Sequence, residues 1–222
     1  INVGARLNSH SEYGSHLVYN INPSYSISNN FKVLTSLSTA FIAPSTYHLF
    51  SQYGNLELEP EESQTFEAGF EFSKQNVLDF NAVFFYRAEE NSIILPDFII
   101  YRNAENEITL RGLETQLKYN FVNDFSLRLG HTYVHKSNDV DYIPKHKFTA
   151  MFDVNKIKNT YLSVRFKNVS SRTYFDQYGS FGIAGEDVVI DSYRLLDLSV
   201  NHHVGSHMVL FGSLNNMLNE DY

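Results

Sequence analysis

The feature that most constrains this chain is a repeated alternation of apolar and polar residues. Within residues 49–74, Phe66 and Phe70 fall on one face of a strand, and Glu67 and Glu71 fall on the other. The same period of two recurs in about eleven segments of roughly ten residues. Strands in soluble sheets usually have about five or six residues, whereas a tilted strand needs about ten to cross a bilayer. The pattern therefore predicts an all-β protein with strands long enough to span a membrane.

The predicted connections alternate between short turns and long loops. The short turns lie at residues 28–30, 73–76, 122–124, 155–159 and 203–207, and the long loops at residues 8–14, 44–62, 92–107, 136–145 and 170–192. This asymmetry is typical of outer-membrane barrels, whose short turns face the periplasm and whose long loops face outward. We therefore predict an antiparallel transmembrane β-barrel with one face against lipid and the other toward a polar lumen. The alternative is an amphipathic sheet of a soluble protein, which the loop asymmetry and the strand length disfavour.

Composition argues against several functional classes. The net charge of −8 disfavours nucleic acid as a partner, because binding to phosphates requires a basic surface. The chain has no cysteine, so it has neither a disulfide framework nor a thiolate metal site. No apolar run approaches the roughly 18 residues of a membrane-spanning helix. The first residues, INVGARLNSH, carry no signal-peptide pattern.

Several stretches resemble the signatures of a known family. The stretch TAFIAPSTYHLFSQYGNLELEPEESQTFEAGFE resembles a signature of TonB-dependent outer-membrane receptors, in which an aromatic–x–Ala–Pro ends one strand and a Gly-Asn…Leu-x-Pro-Glu loop leads into the next. The matching residues are Phe41, Ala43, Pro44, Gly54, Asn55, Leu58, Pro60 and Glu61. Further matches are Arg111, Gly112 and Glu114 in a predicted strand, and Asn216, Asn219 and Tyr222 near the end. The similarity covers essentially the whole chain.

The resemblance implies a place for this sequence within a larger receptor. Residues 1–222 would form the C-terminal part of a barrel of about 22 strands, contributing about eleven strands without the last one. The plug domain and the first half of the barrel would lie outside this sequence. The implied location is the bacterial outer membrane. The implied partners are outer-membrane lipid, the remainder of the barrel, a small-molecule nutrient, and the TonB complex acting through the plug. No cofactor is implied.

Within the family, the loop spacing is most similar to that of receptors that import cobalamin (vitamin B12), and ferric-siderophore receptors are the alternative. Large ligands with few hydrogen-bonding groups are held by aromatic faces and a few amides. The candidate ligand contacts lie in three predicted outer loops: Tyr47, Phe50, Tyr53, Asn55, Phe98, Tyr101, Tyr174 and Tyr178. For each of them, packing within the loop or at the membrane interface is the alternative role. The acidic net charge favours a nearly neutral corrinoid over an anionic ferric chelate.

Two groups of residues, a histidine pair and an acidic loop, are candidates for a metal site. His131 and His135 share one face of a predicted strand but are about 13 Å apart, too far for one ion. Asn138, Asp139 and Asp141 supply oxygen ligands suited to Ca²⁺, although a solvated acidic loop explains them better. We therefore predict no metal site from these residues.

No motif predicts an enzyme. The sequence lacks a Ser-His-Asp order, a Gly-rich phosphate loop and a zinc motif. Two other classes stay open beside transport. An outer-membrane barrel enzyme would have only His135, Asp139 and Asp141 as a local catalytic set, and a structural or adhesive surface barrel would need no ligand at all.

Overall fold

The computed structural model describes residues 1–95, 99–122, 124–137, 142–155, 157–176, 183 and 185–221. In chain order its elements are β1 (Asn2–His10), β2 (Gly14–Asn22), β3 (Ser24–Ser26), β4 (Phe31–Ile42), α1 (Thr46–Phe50), β5 (Glu61–Lys74), β6 (Leu78–Glu90), β7 (Ile93–Ile94), β8 (Arg102–Asn103), β9 (Ile108–Val122), β10 (Phe125–Lys136), β11 (His146–Val154), β12 (Thr160–Val169), β13 (Arg172–Asp176), β14 (Glu186–Ile190), β15 (Tyr193–Val204) and β16 (Met208–Leu214). The predicted all-β class is confirmed. In the described part of the chain, no helix is both long and apolar enough to cross a membrane.

Twelve strands belong to one large sheet. Its strands follow the order β1-β2-β4-β5-β6-β9-β10-β11-β12-β15-β16, and β3 pairs with β4. Strands that are neighbours in this order are also consecutive long strands of the sequence, as an up-and-down meander requires. The two small sheets, β7–β8 and β13–β14, interrupt the path only as insertions in long connections. The prediction of about eleven long antiparallel strands is therefore confirmed.

The chain divides into two compact units. The first comprises Ile1–Tyr25, Val33–Gly69 and Phe84–Arg111, and the second comprises Ser26–Lys32, Phe70–Val83 and Gly112–Tyr222. The first unit contains the β1–β2 hairpin, α1 and the β7–β8 pair. The second contains most of the strands from β9 to β16.

The connections match the predicted alternation with one exception. The five predicted short turns and four of the five long loops lie where the sequence placed them. The prediction of a long loop at residues 8–14 was wrong, because β1 continues to His10, which pairs with Gly14 of β2. Only residues 11–13 connect the two strands. Gly14 has a φ of 77°, which glycine adopts without steric cost and which closes this tight turn.

The alternation of faces is visible in the side-chain contacts of the second unit. The rings of Phe31 and Phe70 stack at 5.4 Å, and the ring of Phe80 lies 5.6 Å from that of Phe70. One residue along each strand, the Lys32 ammonium lies 3.3 Å from the Glu71 carboxylate. Adjacent residues of a strand point to opposite faces, so the aromatic row and the ion pair lie on opposite sides of the sheet.

Few large apolar side chains are buried in the part of the chain that the structure describes. Among the described residues, the buried apolar side chains are Leu58 and Val169. Large apolar side chains in mid-strand are instead exposed, including Phe66 at 44%, Phe84 at 43% and Phe152 at 37%. A water-soluble sheet of this size would bury such a face against a second layer. The exposed face is suited to lipid.

Candidate ligand-binding site

The candidate site begins where β4 ends and the chain turns into the short helix α1. Ser45 caps this helix, and its hydroxyl accepts a hydrogen bond from the backbone N–H of His48 at 3.2 Å. The His48 ring nitrogen Nδ1 in turn accepts the backbone N–H of Ser45 at 3.4 Å. This reciprocal pair satisfies two N–H groups that a helix start leaves unpaired. It also fixes the direction in which His48 and its neighbour Tyr47 leave the backbone.

Gly54 allows the chain to fold back tightly onto α1. A Cβ atom at this position would lie 2.4 Å from the carbonyl oxygen of Leu49, so no other residue fits without moving backbone. The Gly54 N–H donates to the carbonyl of Ser51 at 2.8 Å, and the Asn55 N–H donates to the carbonyl of His48 at 3.0 Å. The Gly-Asn pair that the sequence singled out is therefore a structural element of the loop.

Asn55 joins this loop to the next long connection. Its Nδ2 donates to the carbonyl of Tyr101 at 2.9 Å, and its Oδ1 accepts the N–H of Glu57 at 2.9 Å. The Tyr101 N–H donates to the carbonyl of Tyr53 at 2.9 Å. Both backbone groups of Tyr101 are thus held by residues of the first loop. Asn55 therefore acts as a clamp between the loops, with both ends of its amide engaged.

The rings at this junction form an aromatic cluster. The Tyr101 ring lies 4.8 Å from the His48 ring and 6.2 Å from the Tyr47 ring, the latter in an edge-to-face arrangement. Edge-to-face pairs of this kind are stabilising beyond the area they bury. We call Tyr47, His48 and Tyr101 the aromatic cluster. Tyr47 is 58% exposed, and Phe50, on the same helix α1, is 72% exposed, so both rings present free surface at this junction.

A second clamp lies at the base of the same loops. The Asn103 side chain donates to the carbonyls of Glu59 at 2.9 Å and Asn91 at 2.6 Å, and it accepts the N–H of Glu59 at 2.9 Å. The Glu61 carboxylate accepts the N–H of Ile93 at 2.7 Å. Leu58, between these bonds, is only 2% exposed. The Leu-x-Pro-Glu part of the signature therefore anchors the loop to its neighbour.

The structure brings together only some of the predicted ligand contacts. Tyr47, Tyr53, Asn55 and Tyr101 meet at the junction described above. Phe50 lies on α1 beside it. Tyr174 belongs to β13 in the second unit, where its ring lies 5.1 Å from that of Tyr142.

Phe98 and Tyr178 lie outside the described residues, as do Asn138, Asp139, Asp141 and Tyr222. The contribution of His48 was missed, because a helix cap made by an imidazole has no sequence signature of its own.

The same unit contains a polar cavity of about 430 Å³ on β2, β4 and β5. His16 lies in its wall, and its ring stacks on Phe41 at 3.9 Å. His16 Nδ1 lies 2.9 Å from the Glu62 carboxylate, and Nε2 lies 2.8 Å from the carbonyl of Tyr13. Both neighbours are hydrogen-bond acceptors. This contact links the β1–β2 turn to β5.

The polar face of the second unit carries basic residues along a shallow groove. A cavity of about 530 Å³ is lined by Lys118, Arg128 and Arg165, together with Asp79. The groove lies on the side of the strands opposite the aromatic row. Cationic side chains lining a concave surface raise its positive potential. This face therefore suits water and polar groups, in agreement with the predicted lumen side.

A cluster of side chains that could bind a metal ion is absent from the described part of the chain. In residues 1–95, 99–122, 124–137, 142–155, 157–176, 183 and 185–221, no group of three or more His, Asp or Glu side chains is placed to hold an ion. Asn138, Asp139 and Asp141, which the sequence analysis weighed as oxygen ligands for Ca²⁺, lie outside those ranges. His131 instead contacts His146 on the next strand, with 3.2 Å between Nε2 and Nδ1.

A family model and the curated relatives both match nearly the whole chain. Residues 1–217 match the family described as TonB dependent receptor-like, beta-barrel. The vitamin B12 transporter BtuB of Vibrio cholerae serotype O1 is 23% identical over 98% of this chain and 36% of its own length. The chain therefore spans about a third of the curated relatives that it matches.

Solved structures of low sequence identity share the fold. The siderophore receptor PirA from Acinetobacter baumannii superposes with a TM-score of 0.80 at 16% identity, over 98% of this chain and 39% of its own. The ferric enterobactin receptor PfeA from Pseudomonas aeruginosa, in complex with enterobactin, gives 0.81 at 17% identity, over 97% and 37%. The large antiparallel sheet therefore has the fold of a partial β-barrel.

Proposed function

The chain belongs to the TonB-dependent receptor-like β-barrel family, and we propose that it forms the wall and outer loops of an outer-membrane active-transport receptor. In this proposal residues 1–222 are the C-terminal part of the barrel, and a plug domain and further strands complete the receptor. The receptor binds a scarce nutrient outside the cell and imports it with energy delivered by TonB. The family consists of transport receptors, and the proposal assigns no catalytic chemistry to this chain.

The observation that carries the proposal is the exposed apolar face of the long strands. Phe66, Phe84 and Phe152 are each more than a third exposed in the middle of strands that pair on both sides. In water this arrangement would be costly, at about 25 cal/mol for each Å² of apolar surface. In a bilayer the same side chains are solvated by lipid, and the strand pairing satisfies the backbone. This supports a location in the outer membrane.

The proposed mechanism uses binding and movement. Substrate contacts the aromatic cluster and the neighbouring loops on the outer side. These contacts are relayed to a plug inside the barrel, on the polar face that carries Lys118, Arg128 and Arg165. TonB, driven by the inner-membrane proton gradient, acts on the plug and opens a path. This chain supplies the frame and the outer contacts, while the plug would supply the coupling to TonB.

For the substrate we propose cobalamin. The similarity to a vitamin B12 transporter extends over 98% of the chain. The aromatic cluster provides flat apolar surfaces and the adjacent loop backbone provides hydrogen-bonding groups, a combination that suits a large, nearly neutral ring system. The two loops that form the junction, residues 44–62 and 92–107, contain a single arginine in their sequence, Arg102. An anionic chelate would gain more from a basic site.

Ferric siderophores are the second candidate, because the solved structures that share the fold include receptors described as siderophore and ferric enterobactin receptors.

The test compares binding of cyanocobalamin and of ferric catecholate chelates to the full-length receptor in detergent by titration calorimetry. Tight cyanocobalamin binding supports the proposal. Tight chelate binding without corrinoid binding overturns the substrate assignment and keeps the transporter class.

An experiment in cells separates the proposed transport receptor from a barrel enzyme and from an adhesive surface barrel. If the protein is a transport receptor, uptake of the bound nutrient should stop when TonB is deleted and return when TonB is restored. Hydrolytic activity in the full-length protein would favour the enzyme. Lack of any ligand and of TonB dependence would favour the structural class.

A further inference from the structure

Two histidines lie side by side at the loop end of the apolar face of β10 and β11. In the register of this pair, His131 is opposite Phe148 and Tyr133 is opposite His146. His131 and His146 are therefore diagonal neighbours on one face, a separation that long side chains can bridge. Their rings are 5.5 Å apart at the centroids and inclined by only 12°. The facing nitrogens, Nε2 of His131 and Nδ1 of His146, are 3.2 Å apart.

The surroundings hold His146 in place. Its backbone N–H donates to the Ser170 hydroxyl at 3.0 Å, and its carbonyl accepts the Ser170 N–H at 2.9 Å. The Tyr133 ring lies 5.0 Å from the His146 ring. His146 is exposed and His131 is half-buried, so one side of the pair is open to solvent or headgroups. The pair is preorganised on two strands and also accessible.

We propose that His131 and His146 form a two-histidine site for a divalent transition-metal ion of the Cu²⁺, Ni²⁺ or Zn²⁺ type. Imidazole nitrogen is a preferred ligand of these ions, whereas Mg²⁺ and Ca²⁺ prefer oxygen. Two nitrogens that each lie about 2.0–2.1 Å from one ion, at an angle of about 90–109°, are about 2.9–3.4 Å apart. The observed separation of 3.2 Å falls in this range. The two imidazole nitrogens already have the spacing that a chelate requires.

Ion binding requires a small local change. Without an ion, one ring donates its N–H to the lone pair of the other ring. To bind an ion, the donor ring moves that proton to its other nitrogen, so that both facing nitrogens present lone pairs. Both rings then turn about their terminal torsions, which lie in broad wells. The strands keep their register throughout.

The ion would be held by two protein ligands and by water. In the described part of the chain no third His, Asp or Glu is placed to complete the site. Two ligands and an open shell predict a reversible site of modest affinity. Ca²⁺ prefers oxygen ligands and serves below as the competing ion.

The test is titration of CuCl₂ into the full-length protein in detergent, free of any polyhistidine tag. We expect one site per chain, and an electron paramagnetic resonance spectrum of Cu²⁺ with coupling to two nitrogens. His131→Asn and His146→Asn should each weaken binding at least about tenfold. Excess CaCl₂ should not displace the copper. Circular dichroism confirms that each variant is folded, and glutamine variants replace any that is not.

His203→Asn is the matched control. His203 is an exposed histidine on β15, and its loss should leave copper affinity unchanged. Undiminished binding in either pair variant would overturn the proposal and leave the pair as a hydrogen bond only. An equal loss in His203→Asn would also overturn it, since binding would then be non-specific. A spectrum with a single nitrogen ligand would have the same consequence.

Discussion

The Arg128 guanidinium and the Asp153 carboxylate form an ion pair between β10 and β11, with Nη2 and Oδ2 2.5 Å apart. Asp153 is only 3% exposed. Its carboxylate also accepts the Tyr161 hydroxyl at 2.6 Å and the Ser126 hydroxyl at 3.2 Å. A buried charge is stable only when it is paired and hydrogen-bonded, and here the two strands that flank β11 supply the donors. Asp153 therefore ties β10, β11 and β12 together on the polar face.

Asp153→Asn should destabilise the protein by about 1–3 kcal/mol, because it removes the charge that these donors are placed to bind. The measurement is the urea midpoint of the full-length protein folded in lipid bilayers. Asp79→Asn is the control, since Asp79 is an exposed carboxylate with a single hydroxyl donor, Ser73, at 2.6 Å. Its effect should stay near or below about 0.5 kcal/mol. Equal effects of the two substitutions would contradict the assigned role.

The assignment of faces can be tested along a single strand. Phe84 and Asn81 both lie on β6, and the odd spacing between them places their side chains on opposite faces. Phe84→Arg should cost about 2–4 kcal/mol, because it puts a charge against lipid, whereas Asn81→Arg should cost much less. The measurement is again unfolding from bilayers. Similar costs at both positions would count against a membrane barrel.

The strands and turns could be predicted because they depend on local chemistry. Alternation with a period of two sets the faces of a strand whatever its partners are. Turn positions follow from residues that tolerate positive φ, such as Asn76 and Asn159, which close the β5–β6 and β11–β12 turns with φ of 61° and 58°. The loop at residues 8–14 was mispredicted because its polar residues also suit an exposed strand end. Polarity alone does not separate a loop from a hairpin tip.

The contacts of the candidate site could not be predicted, because they join distant parts of the sequence. Asn55 and Tyr101 are separated by 46 residues, and their bond depends on how two long loops meet. The sequence identified both residues by type and assigned each to the ligand. The structure gives Asn55 a clamping role. His131 and His146 show the same limit, since the sequence compared His131 with its strand neighbour His135 and not with the adjacent strand.

Gly54 should be essential for the shape of the outer loop. In Gly54→Ala the new Cβ would clash with the carbonyl of Leu49, which is backbone and cannot turn away. The loop must then open, and cyanocobalamin affinity should fall at least about tenfold, because binding residues displaced by about 1 Å lose productive geometry. Gly212→Ala is the control, because a Cβ there meets nothing within 4 Å. Unchanged binding in Gly54→Ala would show that this loop does not contact the ligand.

Asn55 offers the sharpest test of the clamp between the loops. Asn55→Ala removes both side-chain hydrogen bonds, to the Tyr101 carbonyl and from the Glu57 N–H. Asn55→Asp keeps an acceptor for Glu57 but sets a carboxylate oxygen against the Tyr101 carbonyl, where two acceptors repel. If the clamp positions Tyr101, both substitutions should weaken cyanocobalamin binding at least about tenfold, with aspartate no better than alanine.

The control for these variants is Gln52→Ala, a substitution at an exposed amide in the same loop. It should leave the affinity within about twofold, because no bond between the loops is lost. Titration calorimetry on the full-length receptor measures all three variants, and their unfolding midpoints should match the parent protein, since the loops lie outside the paired strands. If Asn55→Asp binds as the parent does, the donor to Tyr101 is dispensable. Tyr101 is then positioned by its backbone bond to Tyr53 and by its ring contacts with His48 and Tyr47.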